Sequence, residues 1–197
     1  MGNNIIILKS SPRKLGNSNV LADQVAEGAR EAGAEVESIN LHGMDIRPCD
    51  GCDFCRETGT CVLKDDMQPL YPKLLKADGV VLASPIYWFT YSAQLKICID
   101  RWYALFNDRG DFFKSKPFGI ILTYGDDDLY SSGGINAMHT IESMCRFLKA
   151  DIVGWVHGSL NDIGDAQKHP ELMTKARELG RKLAAEPGRI PDNPPAR

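Results

Sequence analysis

Ile5-Ile6-Ile7-Leu8 runs, after Lys9, into Ser10-Ser11-Pro12-Arg13-Lys14-Leu15-Gly16-Asn17-Ser18, and a helical pattern follows at once. A short, wholly apolar strand with no polar alternation predicts a central parallel strand covered on both faces. The loop after it carries hydroxyls, a guanidinium, an ammonium and a glycine, and it ends on Asn17-Ser18, residue types that favour helix N-caps. Backbone N–H groups at a helix N-terminus, hydroxyl donors and an Arg together make a site for a phosphate. The opening residues therefore predict a phosphorylated ligand at the carboxyl end of the first strand. A plain polar turn with a solvated Arg13 is the alternative.

Outward from this stretch, strand and helix patterns alternate. Asn17–Ala32 predicts a helix with Leu21, Val25 and Ala29 on one stripe, stopped by Gly33. Glu35–Leu41 predicts a strand and Asp66–Ala77 a helix. Val80–Ala83 is a second apolar strand, followed by Ser84-Pro85-Ile86-Tyr87-Trp88-Phe89. Ser92–Tyr103 predicts a helix with Leu95, Ile99 and Trp102 on one face. Phe118–Thr123 is a third apolar strand, followed by Tyr124-Gly125-Asp126-Asp127-Asp128. A helix over Gly134–Lys149, a strand over Asp151–Val156 and a helix over Pro170–Ala185 complete the pattern, the last with Leu172, Ala176, Leu179 and Leu183 facing inward. Strands alternating with helices predict a doubly wound α/β domain, and five of them suggest the flavodoxin-like order 2-1-3-4-5. Ligands in such sheets sit beyond the carboxyl ends of the strands, so the loops after strands one, three and four share one edge.

The chain has 197 residues and a net charge of −3, with Lys and Arg scattered, so nothing marks a nucleic-acid surface. No apolar stretch reaches membrane-span length, and the first residues read as a strand rather than a signal peptide. The expectation is one cytoplasmic domain over 1–186, a Cys-rich insertion at 42–64, and a loose Pro-rich tail at 187–197.

Neither G-x-G-x-x-G nor G-x-x-x-x-G-K-[ST] occurs, which argues against a dinucleotide fold and an ATPase. A mononucleotide phosphate remains. Three aromatics in Pro85–Phe89 suggest a wall for a flat ring. Gly125 allows close backbone approach, and Asp126-Asp127-Asp128 reads most simply as a solvated turn. His42, His139, His157 and His169 have no metal-ligand spacing. Trp102 and Trp155 are expected in the core, and Asp100-Arg101 as a surface or interface ion pair.

Of six cysteines, Cys49, Cys52, Cys55 and Cys61 form C-x2-C-x2-C-x5-C, while Cys98 and Cys145 stand alone as small buried hydrophobes. The tight start is that of bacterial iron–sulfur runs, whereas zinc more often takes two separated pairs. An iron–sulfur cluster, zinc and free or redox-active thiols all remain open.

Ser11-Pro12-Arg13, Gly16-Asn17-Ser18, Ser84-Pro85-Ile86-Tyr87 and Gln94-Leu95-Lys96 with Asp100-Arg101 resemble the flavodoxin-like NAD(P)H-dependent FMN reductase family, over roughly Ile5–Ser159. The cysteine spacing is similar to that of its relatives, the iron–sulfur flavoproteins. Ser10 departs from the family pattern, which usually has Gly there; its side chain is expected to crowd the turn without abolishing phosphate binding. The resemblance implies that Ser11, Arg13, Asn17 and Ser18 hold the FMN phosphate. It places Pro85, Ile86, Tyr87, Trp88 and Phe89 against the flavin ring, with Thr123, Tyr124 and Gly125 at its other edge. It makes Cys49, Cys52, Cys55 and Cys61 candidate ligands of a [4Fe–4S] cluster. The implied function is electron transfer from NAD(P)H through FMN to a small acceptor, in a homodimer or homotetramer. One alternative is an electron-transfer protein fed by ferredoxin through the cluster. Another is a non-catalytic zinc- or thiol-bearing binding module.

Overall fold

The computed structural model describes residues 3–106 and 112–185; the predicted tail lies outside them. Five long strands form the sheet: β1 (Asn4–Lys9), β2 (Glu35–Asn40), β3 (Gly79–Tyr87), β5 (Pro117–Tyr124) and β6 (Asp151–Ser159), in the order β2-β1-β3-β5-β6. All four pairings along that path are parallel, and Ile7 sits between Ser38 and Val81. Counted as long strands, this is the expected 2-1-3-4-5 order. A sixth strand escaped the sequence reading: β4 (Thr90–Tyr91) folds back antiparallel on the end of β3. Residues 84–87 therefore continue β3 instead of forming a loop.

The apolar runs divide by the strand period of two. Ile6 and Leu8, Val80 and Leu82, and Phe118, Ile120 and Leu122 face one side of the sheet. There they meet α3 (Leu70–Lys76), α4 (Ala93–Arg101) and α5 (Gly134–Leu148). Ile5 and Ile7, Val81 and Ala83, and Ile121 face the other side, against α1 (Asn17–Glu31) and α7 (Pro170–Ala185). Both faces of the central strands are covered, which is why their sequences show no polar alternation. The edge strand β6 is only half-buried, so Trp155 is half-buried and packs against the core from its rim, while Trp102, within the core, is 3% exposed.

Helix ends follow local chemistry. Past α1, Gly33 takes a φ of +88°, and Gly33 N–H bonds Arg30 O while Ala34 N–H bonds Ala29 O, the left-handed stop that its glycine predicted. Two short helices have too few residues for a periodic signal: α2 (Phe54–Thr58), inside the cysteine loop, and α6 (Asp165–Lys168), after β6. No helix among the described residues is long and apolar enough to cross a membrane.

Candidate active site

The carboxyl ends of β1, β3, β5 and β6 border a cleft of about 280 Å³. Ser11, Arg13, Gly16, Asn17 and Ser18 line one end; Pro85, Ile86 and Tyr87 form one wall; Thr123, Tyr124 and Gly125 form another. The structure thus assembles ten of the twelve residues chosen for cofactor binding around one hollow. The other two, Trp88 and Phe89, border an adjoining hollow with Asp126, Ser131 and Ser132, and the two hollows share Ile86, Tyr124 and Gly125.

At the anion-binding end, α1 starts on Gly16 with no side-chain cap. The first helical bond runs from Val20 N–H to Gly16 O, so the N–H groups of Asn17, Ser18 and Asn19 have no partner within the helix. A Cβ at residue 16 would lie 2.3 Å from Ser11 Oγ, so only glycine lets the loop close this tightly. The loop is braced by Gly16 N–H to Arg13 O (2.9 Å) and Asn19 Nδ2–H to Arg13 O (3.1 Å). Ser18 Oγ is buried with no hydrogen-bond partner. A buried hydroxyl without a partner costs about 1–3 kcal/mol, which an incoming acceptor oxygen relieves. An uncapped N-terminus, three N–H groups without helical partners and an orphaned buried hydroxyl together fit a phosphate.

Asn17 does not cap the helix. Its Nδ2 donates to Leu160 O (3.1 Å) and Asp162 O (2.8 Å), and its Oδ1 accepts from Ala166 N–H (3.1 Å). The side chain instead ties α1 to the loop after β6, leaving its backbone N–H at the cleft. That loop supplies three lining residues missed in the sequence: Leu160, Asn161 and Ile163. Arg13 Nη1 donates to Asn161 O at 3.2 Å, joining the two rims. The signal lay in Asn161-Asp162-Ile163-Gly164-Asp165, a turn-rich run directly after a strand.

Ser10 does not crowd the turn. It is fully buried, and its Oγ donates to Ala83 O (3.1 Å) and accepts from Ser92 Oγ (2.8 Å). Ser92 N–H in turn donates to Ser84 Oγ at 2.9 Å. Three buried hydroxyls thereby lock the start of α4 to the end of β3 and to the loop after β1.

Trp88 and Phe89 form the two-residue tip of the β3–β4 hairpin, with φ of +45° and +66°. Such a tip favours Asn-Gly, because both positions need positive φ. Here the strain is held from outside. Asn136 Nδ2 donates to Phe89 O (3.3 Å), and Phe89 packs so closely on Gly133 that a Cβ there would lie 2.4 Å from its own. The triple Asp is the solvated turn expected; Asp128 Oδ1 accepts from Tyr130 and Ser131 N–H, which hold its carboxyl below its ordinary range.

The four motif cysteines lie on one loop as free thiols: Cys49 and Cys52 exposed, Cys61 half-buried and Cys55 buried. Burial pushes the Cys55 thiol up, and the charges of Cys61, Cys49 and Cys52 add to that. Four soft sulfur donors on one short loop suit an iron–sulfur centre in their chemistry. Among the described residues, no three His, Cys, Asp or Glu side chains stand at the spacing of a single metal ion. Cys98 and Cys145 are the buried hydrophobes expected, their thiols pushed up to about 12 by burial.

The residue most misjudged from sequence is Arg101. Instead of a surface partner of Asp100, it is 2% exposed, while Asp100 pairs with Lys96 at 2.6 Å. Its guanidinium grips Asp65 at both oxygens, Nη1 to Oδ2 at 2.6 Å and Nη2 to Oδ1 at 3.2 Å. Nη1 also donates to Arg47 O (2.8 Å), and Nη2 to Cys61 Sγ (3.3 Å). Both ends of the cysteine loop thus close on one buried cation.

Residues 3–159 match the family described as NADPH-dependent FMN reductase. An iron–sulfur flavoprotein of Archaeoglobus fulgidus is 33% identical over 181 residues, covering 88% of this chain and 76% of that protein. A putative NAD(P)H-dependent FMN-containing oxidoreductase of Bacillus subtilis is 27% identical over 180 residues, covering 89% and 95%. Iron–sulfur flavoproteins of Methanocaldococcus jannaschii and Methanosarcina thermophila are matched over 50% and 61% of their own lengths. In three dimensions the chain resembles an NAD(P)H:quinone oxidoreductase from Methanothermobacter marburgensis, with a TM-score of 0.69 at 18% identity over 93% of this chain and 98% of that one. That likeness, at such low identity, concerns the fold. The matched span takes in every strand and all but Leu160, Asn161 and Ile163 of the cleft lining, and with it the chain belongs to the NADPH-dependent FMN reductase family, a family of flavoprotein oxidoreductases.

Proposed function

We propose that this protein holds FMN in the cleft and moves electrons from reduced nicotinamide to a small acceptor such as a quinone, free flavin or nitroaromatic. The observation that carries this reading is the buried, partnerless Ser18 hydroxyl at the uncapped start of α1. Ser11, Arg13 and Ser18 supply side-chain donors to the phosphate, and Asn17 its backbone N–H. Pro85–Tyr87 and Thr123–Gly125 flank the flavin ring. Bound FMN supplies hydride acceptance and one- or two-electron release. The protein's own part is to fix the ring and present backbone dipoles to it. Trp88, Phe89 and Tyr130, exposed at 92%, 55% and 75%, suit self-association as a homodimer or homotetramer at the cleft mouth, a state that sedimentation velocity reads directly. The test of function is anaerobic reduction: FMN-loaded protein should bleach on addition of NADH or NADPH and recover its colour with a quinone. Protein that binds no FMN sinks the proposal.

Arg13→Ala is expected to weaken FMN binding about 10- to 150-fold, the loss of one charge-assisted hydrogen bond worth roughly 1.5–3 kcal/mol. Quenching of flavin fluorescence measures this, and an unchanged affinity removes Arg13 from the phosphate site.

The clasp of Arg101 on the cysteine loop favours a second role for the same chain. In this reading Cys49, Cys52, Cys55 and Cys61 hold an iron–sulfur cluster that accepts single electrons from a ferredoxin-type donor. Anaerobically purified protein should then contain iron and sulfide. Cys52→Ala should lose both while still binding FMN, since Cys52 is exposed and borders neither hollow.

A further inference from the structure

A buried arginine that touches a sulfur is a rare expense in a protein core. Arg101 and Asp65 have side chains 1% and 0% exposed, and Arg101 Nε has no hydrogen-bond partner. Ion-pair stability alone does not explain such a pair, because desolvation offsets much of its attraction. What the arrangement achieves is direction. Bidentate contact with Asp65 and the bond to Arg47 O fix the plane of the guanidinium, and the remaining Nη2–H reaches Cys61 Sγ at 3.3 Å. Tyr71 Oη–H donates to Arg101 O at 3.2 Å and fixes the end of the helix that carries it. The other end of α4 is held to the end of β3 and to the loop after β1 through Ser92, Ser10 and Ser84.

We infer that Arg101 is a positioning residue for the Cys61 ligand, and that its N–H···S bond makes the cysteine-held centre easier to reduce. The inference rests on the iron–sulfur reading. A cluster held by these cysteines would gain negative charge on taking up one electron from a low-potential donor, with no bond to Cys61 broken and no proton moved. An N–H donor and a fixed cation at one ligand sulfur stabilise the more negative state, one of the levers that set such potentials. Lysine cannot reproduce this. A point-charge ammonium on a flexible stem can meet Asp65 or Cys61 but lacks the planar fork that grips both.

The test begins with anaerobically purified wild-type protein. Absence of iron and sulfide overturns the iron–sulfur reading and this inference with it. With the cluster present, protein labelled with ¹⁵N-arginine and reduced by dithionite should show a ¹⁵N hyperfine coupling in pulsed electron paramagnetic resonance. Arg56→Lys, at an exposed position of the same loop, should keep that coupling, and Arg101→Lys should lose it. In a redox titration, Arg101→Lys should lower the reduced-to-oxidised ratio of the cluster about tenfold at fixed potential, a shift of about 59 mV for one electron. The FMN couple should stay in place. A cluster without ¹⁵N coupling, or an Arg101→Lys cluster that titrates with the wild type, overturns the inference and leaves the iron–sulfur reading standing. Should Arg101→Lys fail to fold, the wild-type and Arg56→Lys spectra decide: coupling kept in both supports the assignment, and its absence from the wild type or loss in Arg56→Lys overturns it.

Discussion

Gly180→Ala is expected to destabilise the fold by about 3–5 kcal/mol, in the upper tail of single substitutions. On an exposed helix the same change would stabilise by up to about 1 kcal/mol, because alanine is the better helix former. The sign reverses here because α1 and α7 touch backbone to backbone. A Cβ at residue 180 would lie 2.1 Å from Val25 O and 2.7 Å from Ala29 N, and one at Gly28 would lie 1.9 Å from Arg177 O. Each helix contributes one glycine to the crossing, and neither contact ends on a flexible side chain that could swing away. Moving α7 outward would also lift Leu179 and Leu183 off Gly119 and Gly154 of the sheet, where they fill the space of missing side chains. Gly33→Ala is the control. Nothing lies within 4 Å of a Cβ there, but the φ is +88°, so only backbone strain of about 1–2 kcal/mol applies. Urea denaturation of the two variants separates the causes, and a Gly180→Ala protein as stable as wild type refutes the close crossing.

These contrasts also explain which parts of the molecule could be read from its sequence. Central strands and long helices are written in local periodicity. Leu21, Val25 and Ala29 are fully buried at helical spacing, and α7 starts and ends where its pattern does. The cleft was legible because α/β topology brings the ends of β1, β3 and β5 to one edge whatever the remaining details. What escaped has non-local causes. Asn17 is a good cap by type, but its partners lie in residues 160–166. Trp88 and Phe89 occupy positive-φ positions that their residue types disfavour, and the contacts holding them come from Gly133 and Asn136. Arg101 looked superficial because Asp100 precedes it, whereas its true partner lies 36 residues earlier in the chain. Buried charges are the hardest residues to place from sequence, since only the partner makes their burial tolerable.

That dependence gives Asp65→Ala its expected effect: a loss of about 3–5 kcal/mol at pH 7, the cost of leaving a buried charge without its counterion. Asp65 also accepts from the backbone N–H groups of Arg47 (3.1 Å) and Met67 (3.1 Å), so the variant unfastens the cysteine loop at the same stroke. Burial acts to raise the Asp65 carboxyl, but the Arg101 guanidinium and these two N–H donors outweigh it and hold the group below its ordinary value. A depressed folded-state pKa fixes the sign. The stabilisation is complete above the unfolded carboxylate value of about 3.9 and is lost as pH falls through the lower folded value. Wild type and Asp65→Ala should therefore differ fully at pH 7 and converge only well below pH 4. Asp65→Asn should fall between them, keeping a hydrogen-bonding oxygen but not the charge. FMN affinity should change little, because Ser10, Ser84 and Ser92 fasten the opposite end of α4 to the end of β3 and to the loop after β1. Limited proteolysis should cut Asp65→Ala within residues 42–64 faster than wild type. An Asp65→Ala protein that keeps wild-type stability across this pH range would show that Arg101 does not depend on Asp65 for its place in the core.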